Sequence, residues 1–352
     1  MKKILAGYFY RLIRGFEIWA LLVLLIVASL YITKVEFDVN LVIFSEGDYF
    51  SSLDVSPKDA YRCYIECLPD DVYDRIAHSE CHEDINTLFI LFHGMHTVSA
   101  ILILIFIPVF FGRLFSDGTI KNLIASGHSK TKIYFASLIM TFLIDLVMLI
   151  AGVIVIAVMC RINNFAPPVY IPVVLFMLLV ELFVLFFVSA ISMAVLFASA
   201  KRIVSLISGF IVGVYIFVPL SSFAVMTLMS NLSDNYSERE DFKEYYTIMT
   251  EKGPNVMEER FVLSEFDIVF SYEGRDLNIR TQYNMSPALK NFLIAVIYLD
   301  PLFISHFGES VGIEPYLMAR DGLMAVNILC DAFWITLSSA IGLLIYKKRE
   351  IV

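Results

Sequence analysis

Charged side chains are scarce. Asp, Glu, Lys and Arg make up 17% of the 352 residues, against about 25% in an ordinary soluble domain. That is too few to clothe a core built from the 59% that are apolar. No G-x-x-x-x-G-K-[ST] run occurs, so the chain has no phosphate loop with which to bind ATP, and no H-E-x-x-H run occurs, which removes the zinc-protease helix. No internal repeat is evident, and a solenoid is excluded with it. Cysteine is sparse, at five, and tryptophan sparser, at two.

What the chain has is apolar sequence gathered into blocks. Five are long enough to cross a ~30 Å hydrocarbon core at about 20 residues each: about 17–33, 88–112, 133–160, 170–200 and 203–230, with a sixth at 322–346. Trp19 and Tyr31 sit near the ends of the first, where amphipathic rings suit the interface. The expected fold is an all-α polytopic membrane protein of six transmembrane helices.

Lys and Arg density orients them. Residues 1–16, 113–132, 201–202 and 347–352 hold 13 Lys and Arg in 44 positions, with 2 acids. Residues 34–87, 161–169 and 231–321 hold 13 in 154 positions, with 29 acids. Dense basic loops stay in the cytoplasm, so both termini are expected inside a cell membrane. The sequence pI near 5.2 then comes from the outer segments and does not point to nucleic acid. Within 1–16, Ile4, Leu5, Tyr8, Phe9, Leu12 and Phe16 share one half of a helical wheel, with Lys3, Arg11 and Arg14 opposite. That pattern describes a helix lying along the inner leaflet.

The linker 113–132 reads as a small capped helix over 116–127. Ser116 or Asp117 can accept from the free amides of its first turn, and Gly127 supplies a left-handed end. Ile120, Leu123 and Ile124 fall on one face. A helix of this kind on the basic side gives a soluble partner something to grip.

Two sizeable segments lie on the other side. Residues 34–87 are acidic and carry Cys63, Cys67 and Cys81. A disulfide among the three suits an oxidising face, with Cys160 at the outer end of the third span within reach of the one left over. Free thiols, or zinc held together with His78 and His82, are the other readings. His93 and His96, one turn apart near the outer end of the second span, read as interfacial histidines. In 231–321, Ile268, Phe270 and Tyr272 alternate with polar residues, as do Leu277, Ile279, Thr281 and Tyr283, about a loop Glu273-Gly274-Arg275. This predicts a hairpin. Residues 292–307 are apolar but broken at Asp300-Pro301, which predicts a re-entrant helical hairpin instead of a seventh span.

Three carboxylates fall inside spans: Asp145, Glu181 and Asp331. Such groups face a bundle interior or a water-filled cavity. Counted from a turn near residue 164, Asp145 and Glu181 come to similar depths, where they could meet and share a proton. Hydrogen bonding to nearby Ser and Thr hydroxyls is the plainer reading.

This arrangement resembles the ABC-2 type permease family, the membrane subunits of many bacterial ABC exporters. The likeness covers the topology, the large first outer loop and the broken segment before the last span. Locally it lies in Asp117-Gly118-Thr119, Ala125-x-Gly127 and Ser129-Lys130 followed by Ile133. Asp117 stands where that family more often has Glu, and Ser137 where it often has Lys. The resemblance implies a non-enzymatic subunit that pairs with a second permease copy or a homologous permease. It also implies coupling through 116–127 to a separate cytoplasmic ATPase subunit, which binds ATP-Mg, with no cofactor in this chain. The substrate implied is a peptide, a lipid or a drug-like molecule. Two rival readings remain: an extracellular-ligand sensor or immunity subunit without transport, and a proton-coupled secondary transporter.

The orientation is testable. In a chain with its native cysteines replaced, Lys130→Cys and Lys348→Cys should resist an impermeant thiol reagent added to intact cells, whereas Ser237→Cys should react. Labelling at position 130 from outside would reverse the topology.

Overall fold

The computed structural model describes residues 1–46, 94–162, 171–217, 220–231, 240–252, 257–264, 266–277, 285–302, 304 and 315–349. They form two compact units, residues 1–213 with 335–352, and residues 214–334. The protein is mostly helical, and six helices are long and apolar enough to cross a membrane: Phe16–Lys34, Gly94–Ser116, Lys130–Ile162, Ile171–Ser199, Arg202–Leu228 and Leu323–Lys348.

In the first unit, α1 (Lys2–Arg14) is followed by α2 (Phe16–Glu46), α3 (Gly94–Ser116), α4 (Thr119–Ala125), α5 (Lys130–Ile162), α6 (Ile171–Ser199) and α7 (Arg202–Phe217). The end of the last helix returns here. The amphipathic α1 buries Ile4, Tyr8 and Leu12 and carries Arg11 and Arg14 in its final turn. The long α5 is the hub, with α1, α2, α4 and α6 all packed against it. The spans are apolar around most of their circumference, so they satisfy their backbones internally and leave apolar side chains such as Phe210 and Ile211 exposed to hydrocarbon.

Contacts between spans must come from close fit, because lipid tails are as apolar as leucine. Two devices supply it. Phe115, Tyr134, Phe197 and Tyr346 pack edge to face, with Phe197 centroids 5.0 Å from Phe115, 5.1 Å from Tyr134 and 4.9 Å from Tyr346. Beside them Gly342 meets α6 so closely that an added Cβ would lie 2.6 Å from the Ala194 Cα.

In the second unit, α8 (Leu220–Ser230) packs on α10 (Pro287–Leu299), and α12 (Leu323–Lys348) follows α11 (Pro315–Arg320). The fifth apolar block holds α7 and α8, with residues 218–219 between them outside the described residues. Ser286 caps α10 by accepting from the Leu289 amide, Pro287 takes its first position, and Asp300 ends it. The predicted break at Asp300-Pro301 thus marks the end of a helix that begins at 287, earlier than the apolar run suggested. The second limb of the expected re-entrant hairpin lies outside the described residues.

Between these helices stands α9 (Glu240–Lys252) with an antiparallel sheet, β1 (Glu258–Val262), β2 (Asp267–Tyr272) and β3 (Arg275–Leu277), in the order β1-β2-β3. Glu273 and Gly274 form the turn with φ of 50° and 80°, the two-residue geometry that matches strand twist. Arg275 is consequently a strand residue paired with Tyr272, not part of the loop, while Ile279, Thr281 and Tyr283 fall outside the described residues. The third strand gives the hairpin the support it lacks alone. Tyr245 of α9 packs 4.8 Å from Phe270, and Arg275 bonds Glu244 at 2.9 Å.

The close crossing at Gly342 yields a prediction. Gly342→Leu should lower stability in detergent by about 1–3 kcal/mol through overpacking. Gly7→Ala, at an exposed site where an added Cβ meets nothing, should be neutral or stabilising. Thermal unfolding of both variants measures the difference.

Candidate functional site

Seven residues are too few to hold a helix in water unaided, yet α4 is fixed at both ends. Gly118 precedes it with φ 73°, and the first helical bond runs from the Asn122 amide to the Gly118 carbonyl. Asp117 Oδ1 accepts from the Thr119 amide at 3.0 Å and from its hydroxyl at 2.6 Å. At the other end Gly127 has φ 86°. Its amide donates to the Ile124 carbonyl, and the His128 amide donates to the Leu123 carbonyl. This is the paired closure that a left-handed residue permits, and a residue with a Cβ would be strained at either glycine.

The helix is also anchored sideways. Ile120 is 1% exposed, while Leu123 and Ile124 are half-buried and Lys121, Asn122 and Ala125 are exposed. The prediction that all three apolar residues face a partner is thus corrected for Ile120, which packs within the chain. Ser116 is corrected too: it is the last residue of α3 and donates to the Arg113 carbonyl, so the helix starts at 119.

Two crossed ion pairs fasten the turn between α3 and α4 to the elbow between α1 and α2. Arg11 reaches Asp117 at 2.6 Å and the Thr119 hydroxyl at 3.2 Å, and Arg113 reaches Glu17 at 2.9 Å. Partial burial pushes the Asp117 carboxyl up. The bonds from Thr119 and Arg11 outweigh it and hold the group below the usual range. Its contribution is therefore present above the ordinary carboxyl pKa and lost as pH falls through the depressed one. Beneath the elbow, burial pushes the Tyr8 phenol up to about 12, against a hydrogen bond from Ser137 and the charge of Arg11. After α4, Lys130 donates to the carbonyls of Lys347 and Arg349, and Arg349 donates to the Ala198 carbonyl at 2.8 Å. One end of this unit thus gathers the α1–α2 elbow, the turns flanking α4 and residues 347–349.

Inside the spans each carboxylate has its own partner. The Ser189 hydroxyl donates to Asp145 Oδ1 at 2.9 Å. His96 Nδ1 lies 2.5 Å from Glu181 Oε2, with the two side chains 0% and 3% exposed. Asn327 donates to Asp331 Oδ2 at 2.8 Å. Asp145 and Glu181 do not form the pair that equal depth suggested. Asp145 lies seventeen residues before the end of α5, Glu181 only ten after the start of α6, and Ser189 eighteen. At 1.5 Å per residue the mismatch is about 10 Å. The imidazole expected at the interface is instead the buried partner of Glu181.

Cys63, Cys67, Cys81, His78, His82 and His93 lie outside the described residues. So does Gly308-Glu309-Ser310-Val311-Gly312, a G-x-S-x-G run, which corrects the expectation that the chain contains none. Arg11, Glu17, Arg113 and Asn327 were also missed. A lone acid at the head of the first span, Glu17, was the available signal.

The geometry defines a multi-pass helical protein with a short, fixed helix between its second and third spans. Comparison with family models, curated proteins and solved structures finds no match.

The buried His96–Glu181 contact predicts a characteristic mutational pattern. Glu181→Leu alone leaves the imidazole without its carboxylate and should cost roughly 3–5 kcal/mol, whereas the His96→Leu/Glu181→Leu double variant should recover most of that loss. Thermal unfolding in detergent gives the comparison. A double variant as poor as the two single losses combined would mean that packing, not charge, dominates.

Proposed function

We propose that this chain is the membrane subunit of an ATP-driven transporter, energised by a separate cytoplasmic ATPase subunit. The reading rests chiefly on α4. A partner can only push on a loop that is stiff, and α4 is capped by Asp117, closed at Gly127 and tied to α1 through Arg11. Its outward residues Lys121, Asn122 and Ala125, with the half-buried Leu123 and Ile124, form the gripping face. Ser116, Gly118 and Ile120 serve that face by shaping and anchoring it.

On this reading α4 is cytoplasmic, as are both termini, and two permeases pair in a bacterial cell membrane. ATP-Mg binds the ATPase, and a peptide, lipid or drug-like substrate passes between the permeases. The likeness of Asp117-Gly118-Thr119 and the residues after it to ABC-2 type permeases supports the assignment. A second reading, a sensor or immunity subunit without transport, draws on the three-stranded sheet β1–β3 and α9, where Phe261 packs edge to face on Phe266 and Tyr245 packs on Phe270.

Purification in mild detergent should bring down an ATPase whose hydrolysis is coupled to substrate movement. Leu123→Asp with Ile124→Asp should leave the chain in the membrane while abolishing binding of that ATPase or uncoupling it. A normal, coupled complex from this variant would refute the role of α4. An extracellular ligand bound with no ATPase partner would favour the sensor.

A further inference from the structure

The two ends of α4 are tied to different parts of the first unit. Its start is held to α1 through Arg11 and Asp117. Its end runs into α5 with no slack. The His128 amide donates to the Leu123 carbonyl, and the next residue, Ser129, already caps α5, its hydroxyl accepting from the Lys132 amide at 3.3 Å. A displacement of α4 therefore carries Lys130, the first residue of α5, with it.

Lys130 is committed to the last turn of α12. The final carbonyls of a helix have no amide of their own helix to accept from, and a cation beside them suits the negative end of the dipole. Lys130 Nζ donates to two carbonyls at this end, that of Lys347 at 3.2 Å and that of Arg349 just beyond, and stands 5.7 Å from the centre of the Tyr346 ring. Among the described residues its side-chain partners all lie in 346–349. The basic side chains there repel an ammonium, so carbonyls and ring set the contact.

The same turn passes the contact on to α6. Arg349 donates to the Ala198 carbonyl at 2.8 Å, one residue before α6 ends. The buried Tyr346 packs edge to face on Phe197, with centroids 4.9 Å apart. One side chain thus joins the end of α4 to a turn that is fastened to a further span.

We propose that Lys130 is a positioning residue that transmits displacement of α4 to the ends of α12 and α6. The link stands on these contacts alone, whereas its use in transport rests on the transporter reading. Lys130 lies outside the gripping face, so its removal leaves that face intact.

Amide exchange in the isolated chain, in detergent, reads the link without any partner. Gly127→Ala places a Cβ at φ 86° and strains the end of α4. With Lys130 in place, this variant should speed exchange at 346–349 as well as in α4. Lys130→Met alone should speed exchange at 346–349 and leave 119–125 protected, and adding Gly127→Ala should then speed 346–349 no further. Lys130→Arg, which keeps the charge and the donors, should restore the response. Exchange at 346–349 that ignores Gly127→Ala in the presence of Lys130 would overturn the link, and so would an equal response in Lys130→Met. ATP-Mg added to a complex co-purified with its ATPase should alter exchange at 119–125 and at 346–349, and in Lys130→Met at 119–125 only. A change confined to 119–125 in the unaltered chain would overturn the transport role of Lys130. The absence of any co-purifying ATPase would refute the transporter reading and that role with it, while the partner-free experiment still decides the link.

Discussion

Hydrocarbon offers no hydrogen bonds, and this constraint governs the spans. A polar group placed there must find its partner in the protein or carry a cost of several kcal/mol. Asp145, Glu181 and Asp331 accordingly sit against Ser189, His96 and Asn327. The same solvent removes the usual gain from bringing apolar faces together, which is why the contact of α6 with the last helix relies on Gly342 and on four interlocked aromatic rings.

Around α4 the chemistry changes. Ion pairs between exposed groups are individually weak, on the order of 1 kcal/mol or less, so neither Arg11–Asp117 nor Glu17–Arg113 would secure a mobile loop alone. They act on a turn already shaped by Gly118 and on a helix already anchored by Ile120. Each small term removes freedom that the others would otherwise have to remove. The result is a seven-residue helix with a defined position, and α1 is part of the reason it has one.

Much of this was legible in the sequence because it is local. Six apolar blocks gave the spans, alternation around Glu273-Gly274 gave the hairpin, and Gly127 gave the end of α4. What escaped depends on partners remote in the chain. Arg11 and Asp117 are 106 residues apart, and no periodicity links them. The depth of Asp145 relative to Glu181 failed because the count assumed helices meeting at a symmetric turn near 164, whereas α5 ends at Ile162 and α6 begins at Ile171. β1 was hidden by its charged sequence, EERFV, which becomes a strand through its pairing with β2. Ile120 looked available to a partner because a helical wheel shows a face without showing what already covers it.

On this structure α4 is a preformed, clamped helix in the isolated chain. Amide hydrogen exchange across 119–125, in detergent and without any partner, tests it most directly. Exchange should be slow relative to an unstructured peptide, and faster in Asp117→Asn, because the cap and the tie to Arg11 are both weakened. Exchange at the unstructured rate in the unaltered chain would contradict the account, and so would protection that Asp117→Asn leaves unchanged.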